Sequence, residues 1–306
     1  MSAEAPQFDF MKVRLPAGIL SLVLVVVSIV AIAVRGLNFG LDFTGGTLVE
    51  LHFPEAAVLS DVREHLHEAG YERHQAVHFG SDHDVLVRLP SAGTATIGED
   101  IARALSRDGA QAELRRVEVV GPQMGDELRD LGGLALLLSL LGVGVYVAVR
   151  FQWKLAVGAV VALAHDPIVT LGAFALFQWE VDFSVLAAVL ALIGYSINDT
   201  VVVYDRLREN FRKMRRADRF SISNAALNQT LGRTLMTSGV TLIAVLALLL
   251  FGGDTLRGFS TTLTIGIIVG TYSSIYVATS FALWLGLDRG DLLLPVKDEK
   301  AAQDSP

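Results

Sequence analysis

The sequence predicts an α-helical polytopic membrane protein with six transmembrane helices and a ferredoxin-like α+β domain between the first and second. Three observations carry this expectation. The 306-residue chain is 52% hydrophobic with a mean hydropathy of +0.49, too apolar for a soluble fold with polar loops. Six apolar stretches come close to the ~20 residues needed to cross hydrocarbon. Between the first two lies one long polar segment whose patterning alternates between strand and helix periods.

The predicted spans are 15–34, 131–149, 155–177, 183–204, 235–251 and 263–287, with a terminal segment 1–14 before them and a polar, mobile tail 288–306 after them. The fifth is short, and the helical pattern over 225–231 offers it an earlier start. Lys12 and Arg14 precede the first apolar run, which ends in Ala31-Ile32-Ala33, a small-residue pattern resembling a processing site. The run is longer than a signal-peptide core, so it reads as an uncleaved anchor.

Alternate loops differ sharply in charge. One set carries Lys12 and Arg14, then Arg150 and Lys154, then Arg206, Arg208, Arg212, Lys213, Arg215, Arg216 and Arg219; in the other, loop 178–182 has no cation and loop 252–257 only Arg257. The positive-inside rule puts both termini in the cytoplasm. Trp153, Trp179 and Trp284 fall at span ends, as an aromatic belt requires. Basic segment 206–219 reads as an amphipathic helix that anchors topology and attracts anionic lipid, with Phe211 and Met214 against lipid or neighbouring helices.

Segment 36–130 is then extracytoplasmic. Strands are predicted at 47–53, 75–79, 84–89 and 113–120, the middle two forming a hairpin about Gly80-Ser81-Asp82. Ser60 is a candidate cap for a helix that buries Val62, Leu66 and Ala69 and stops at Gly70. Thr96 and Glu99 fit a capping box for a second helix with Ile101, Ala104 and Leu105, stopped by Gly109. The order βαββαβ is the ferredoxin-like pattern.

The composition excludes several chemistries. Without cysteine there are no disulfides, thiolates or cysteine-held metals. Six of the seven histidines lie in segment 36–130 without metal-ligand spacing, and they read as solvated. No nucleophilic triad or phosphate-binding loop is present, and no basic stripe interleaved with aromatics suggests nucleic acid. Neither an enzyme, a cofactor nor a metal is expected, and work done by this chain would draw on an ion gradient.

Two carboxylates stand out, because a charge at the centre of a membrane helix costs about 2.5–3.5 kcal/mol on insertion scales. At 1.5 Å per residue, Asp199 lies roughly 24 Å in from residue 183, and Arg233 roughly 27 Å in from residue 251. Similar depth on consecutive antiparallel spans makes a proton-sensitive Asp199–Arg233 ion pair sensible; a structural acceptor and a snorkelling arginine are the alternative. Asp166, in His165-Asp166-Pro167, lies roughly 16 Å from its span's start. It could extend a relay or merely accompany a proline kink. Thr237, Ser238, Thr241, Thr271, Ser273, Ser274, Thr279 and Ser280 could line a hydrated path, although packing hydroxyls are the simpler reading. Gly266 and Gly270 suit a close helix contact.

Five blocks in order carry a resemblance over nearly the whole chain: GLDFTGGT at 40–47, GPQMGDEL at 121–128, AHDPIVTLGAF at 164–174, GYSINDTVVVYDRLRENF at 194–211 and LGRTLMTS at 231–238. The chain resembles the SecF family of the SecDF protein-export complex, within the RND superfamily. The resemblance implies an RND-like half of a twelve-span assembly completed by SecD, in the bacterial cytoplasmic membrane beside SecYEG and with YajC. It further implies use of the proton-motive force to promote preprotein translocation and release. The family's fourth-span aspartate maps onto Asp199 and its fifth-span arginine onto Arg233. With Asp166 and Asn198 these form the candidate proton-relay set. Pro167 departs from the family, where a small aliphatic residue is expected. An RND-type exporter of lipids or small molecules and a purely structural translocon subunit are the alternatives.

Overall fold

A computed structural model describes residues 8–90, 96–106 and 111–292. Six of its helices are long and apolar enough to cross a membrane. A short 3-10 turn, Phe10–Val13, leads into α1 (Arg14–Arg35). After it come β1 (Asn38–Phe39), α2 (Leu41–Thr44), β2 (Gly46–His52), α3 (Leu59–Glu68), β3 (Gln75–Phe79), β4 (Ser81–Leu89), α4 (Ile97–Leu105) and β5 (Glu113–Val120). The remaining elements are α5 (Pro122–Arg150), α6 (Trp153–Phe177), β6 (Glu180–Val181), α7 (Phe183–Lys213), α8 (Arg219–Phe251), α9 (Gly253–Ser273), a π-helical turn Ser274–Ala278, α10 (Thr279–Trp284) and α11 (Arg289–Leu292).

The bundle has an inner and an outer layer. About half of the apolar window of α6, α7 and α9 is buried, against under a fifth for α1, α5 and α8. The outer helices expose large apolar side chains along their length, Leu137, Val149, Val240 and Phe251 among them, which suits contact with acyl chains. Trp153, Trp179 and Trp284 are exposed at helix ends. Small residues set the close approaches. A Cβ on Gly172 of α6 would lie 2.1 Å from Ser28 of α1, and one on Gly266 of α9 would lie 2.6 Å from Leu192 of α7.

Helices α7 and α8, of 31 and 33 residues, exceed one bilayer crossing and project at the basic end. The expected basic helix over 206–219 is therefore divided. Its first part continues α7 to Lys213, with Phe211 buried and Met214 packed against the same core, the second of the two expected surroundings. The chain then turns, and Asp218 starts α8 by accepting the Phe220 N–H at 3.0 Å. The short predicted fifth span is thus the far half of one long helix. Residues 288–292, expected to begin a mobile tail, are docked: Lys154 Nζ lies 2.7 Å from Asp291, and Arg289 donates to the Arg215 carbonyl at 3.1 Å.

The segment between α1 and α5 forms a four-stranded antiparallel sheet in the order β3-β4-β2-β5. Val49, Leu51, Val85 and Val87 of the central strands meet Leu66 of α3 and Ile101 of α4. The strand predictions hold to within a few residues, but both caps differ. Val58, not Ser60, precedes α3, and Ser60 lies in its first turn. Gly70 ends that helix with φ +90°, a conformation that suits glycine. The Thr96 side chain makes no capping bond; its hydroxyl turns to Asp100 at 3.1 Å. Gly109 lies outside the described residues. The histidines are less solvated than expected, since His52 holds Asp84 at 2.7 Å and His83 Nδ1 lies 3.1 Å from the Phe53 carbonyl.

The sheet domain is fastened to the bundle through the GLDFTGGT block. β1 pairs in parallel with β6, in the α6–α7 loop. Asp42 of α2 accepts the Phe183 N–H at 2.9 Å, so a residue of this block caps the first turn of α7. Arg88 of β4 meets Glu180 at 2.5 Å. Gly45 and Gly46 take φ +67° and +130°. Side chains would not fit here: a Cβ on Gly46 would lie 2.3 Å from the Leu89 carbonyl, and one on Gly125 of α5 would lie 2.8 Å from the Gly45 nitrogen.

The α1–α6 contact gives a direct prediction. Gly172→Ala forces the two backbones apart and lowers stability by about 1–3 kcal/mol, read as a lower melting temperature of the detergent-solubilised protein. Gly142→Ala on α5, where a Cβ meets nothing within 4 Å, leaves that temperature unchanged.

Candidate functional site

The site begins with the two buried carboxylates, Asp166 at 1% exposure and Asp199 at 3%. Their surroundings differ. Asp166 uses both oxygens: Oδ2 accepts from Ser196 at 2.5 Å and Ser273 at 2.9 Å, and Oδ1 lies 2.9 Å from His165 Nδ1. Three helices, α6, α7 and α9, therefore converge on one side chain. Asp199 is held more loosely, with Oδ2 3.5 Å from Ser238 Oγ of α8.

Buried hydroxyls lie beside each carboxylate. On the Asp199 side, Ser238 shares a 2.7 Å hydrogen bond with Thr271 of α9; Ser273 of the same helix is two residues further on, turned toward Asp166 instead. Ser196 lies one turn before Asp199 on α7, so both point inward. Gly270 lines the cluster: a Cβ there would be in ordinary contact with Asp166 Oδ2 at 3.4 Å and with Ser196 at 3.5 Å.

The backbone around the cluster is adapted to it. α6 runs through Pro167, and Thr170 Oγ1 donates to the Asp166 carbonyl at 2.8 Å. The π turn Ser274–Ala278 follows Ser273 directly. Such turns rotate the rest of a helix and loosen its carbonyls. Here the Ala278 carbonyl accepts Tyr204 OH at 3.0 Å. Gly158 permits that bond, since a Cβ would lie 2.6 Å from the carbonyl and 2.7 Å from the hydroxyl.

Of the four candidates read from the sequence, the structure brings Asp166 and Asp199 into one cluster and leaves Asn198 and Arg233 on the exposed surface of the bundle. The ion pair expected between Asp199 and Arg233 is not formed: no arginine lies within 4 Å of Asp199 among the described residues. The reason is angular. Counting residues gives depth, but each residue also turns the helix by about 100°. Thr234 and Ser238 face inward on α8, whereas Arg233 points outward. Its charge reaches Asp199 only at longer range. Asn198 is turned away from Asp199 by the same one-residue rotation.

Sequence reasoning missed Ser196 and understated Ser238, Thr271 and Ser273, which were grouped with packing hydroxyls. Ser196 carried a usable signal, its position three residues before Asp199 on the inward face.

Comparisons with known proteins place this geometry. The family described as "Protein export membrane protein SecD/SecF, C-terminal" matches residues 100–288, and the SecD/SecF GG motif matches residues 30–53, the block that fastens the sheet domain. A Pseudomonas aeruginosa protein named protein translocase subunit SecF is 49% identical over 96% of this chain and 97% of its own length. Its namesake from Escherichia coli O157:H7 is 46% identical over 98% of this chain and 94% of its own. The crystal structure of SecDF from Thermus thermophilus, titled a translocon-associated membrane protein, aligns with a TM-score of 0.85 at 35% identity. That alignment covers 94% of this chain but only 40% of the SecDF chain. The chain belongs to the SecF family of protein-export membrane proteins.

Proposed function

We propose that this chain is the SecF half of a SecDF-type assembly, an accessory, non-enzymatic subunit that helps drive preproteins across the bacterial cytoplasmic membrane with the proton-motive force. SecD supplies the other half, and SecYEG, YajC and the preprotein are the further partners. The observation that carries the reading is the pair of buried carboxylates, Asp166 and Asp199, each beside hydroxyls in the interior of a membrane bundle. Packing alone has no use for two buried carboxylates, whereas a path for protons does.

In this reading Asp166 is the fixed member, since three donors on three helices hold it. Asp199, held more loosely by Ser238 and Thr237, is the member whose proton comes and goes. Arg233 and Asn198 belong to the relay through a face that SecD covers, where Arg233 can approach Asp199 in another state of the cycle. The chain's 40% coverage of the SecDF structure supports a missing, larger part supplied by SecD. The basic loops support an orientation with both termini in the cytoplasm. The sheet domain then lies outside, and its strand order and antiparallel pairing support the ferredoxin-like assignment. Asp42 and Arg88 give that domain a grip on the start of α7, the helix that carries Asp199.

Two outcomes test the division of roles. Asp199→Asn inserts and assembles with SecD but abolishes gradient-dependent stimulation of preprotein export into vesicles; full stimulation by that variant contradicts the mechanism and favours a purely structural subunit. Asp166→Ala leaves Ser196 and His165 without their acceptor in a buried site, at about 1–3 kcal/mol per orphaned group, while Ser273 keeps the Gly270 carbonyl. It therefore lowers thermal stability far more than Asp199→Asn does.

A further inference from the structure

Beside the relay, a slot of about 810 Å³ opens between α1, α6 and the α10 end of the bundle. Leu22, Val25 and Ile168 are among its walls, and Gly18 widens it. It runs from Arg14 to the level of Val25, about 16 Å at helical rise, close to the length of an acyl chain. Its mouth is at the basic end, where Arg14 and Arg219 close it off.

The two arginines are arranged unusually. Both guanidinium groups sit against one ring, that of Phe220, at 4.2 and 5.1 Å from its centroid. Arg14 gives one donor to the Met11 carbonyl at 2.8 Å. No carboxylate pairs with either side chain among the described residues. Two like charges held together without a counter-charge, where headgroups lie, fit a phosphate.

We propose that the slot is a binding site for one anionic phospholipid of the leaflet at the basic end, cytoplasmic in the orientation proposed above. Arg14 and Arg219 grip the phosphate, and one acyl chain fills the slot past Gly18. The deep end meets His165, which is 4% exposed and whose Nε2 has no hydrogen-bond partner. A chain lying there closes that side of the His165–Asp166 pair to water.

The test is native mass spectrometry of the full chain, extracted with its bound partner and exchanged into phosphatidylglycerol or phosphatidylcholine. The wild-type protein retains phosphatidylglycerol roughly tenfold better. The Arg14→Gln, Arg219→Gln double variant loses the preference. Gly18→Leu keeps both arginines and adds its side chain where a Cβ meets nothing within 4 Å; it loses retention of both lipids. Equal retention of the two lipids by the wild type, or undiminished retention by Gly18→Leu, overturns the proposal. So does phosphatidylglycerol binding that appears only after the partner is stripped away, because the slot then belongs to a protein partner.

Discussion

A carboxylate placed among lipid-facing helices must be given hydrogen bonds or it will not stay. Asp166 meets that demand with Ser196 and Ser273 on neighbouring helices and with its own neighbour His165. Much of the inner bundle follows from this one side chain. α9 must come close to α7, and Gly266 allows it, since a Cβ there would lie 2.6 Å from Leu192. α7 must present Ser196 and Asp199 to the same interior. The π turn after Ser273 then resets the phase of the last span, so that Tyr204 can bond the Ala278 carbonyl beside Gly158.

The second organising feature is the junction below the sheet domain. It is made of short elements: a two-residue parallel ladder, one turn of helix and two glycines with positive φ. None is stable alone. Each depends on the others and on Phe43, Phe174, Val181 and Val185, which form a small apolar core at the same place. Because Asp42 caps α7, displacement of the sheet domain would act first on the helix that carries Asp199. This gives a domain outside the bundle a short mechanical route to the proposed proton site.

The parts readable from the sequence were those governed by period and by cost. Apolar runs located the six spans, alternation located the four strands, and the expense of a buried charge singled out Asp166 and Asp199. What escaped depends on angle and on pairing across long separations. Depth counting matched Arg233 to Asp199, yet helix rotation puts them on different faces. The β1–β6 ladder joins residues about 140 positions apart through two pairs, too short a run to leave a pattern. The π turn, Ser274-Ile275-Tyr276-Val277-Ala278, has the composition of an ordinary apolar helix segment, and nothing in it announces the turn. Basic residues over 206–219 suggested one helix, whereas Asp218 starts a new one. In each case the deciding contact lies in another part of the chain.

In the proposed mechanism Asp199 exchanges the proton while Asp166 remains anchored. Infrared difference spectroscopy of the assembled complex in vesicles tests it most directly, by following the carbonyl stretch of a protonated carboxylic acid on acidification. The expected band disappears in Asp199→Asn and persists in Asp166→Asn. A band that survives in Asp199→Asn, or vanishes only in Asp166→Asn, would contradict it.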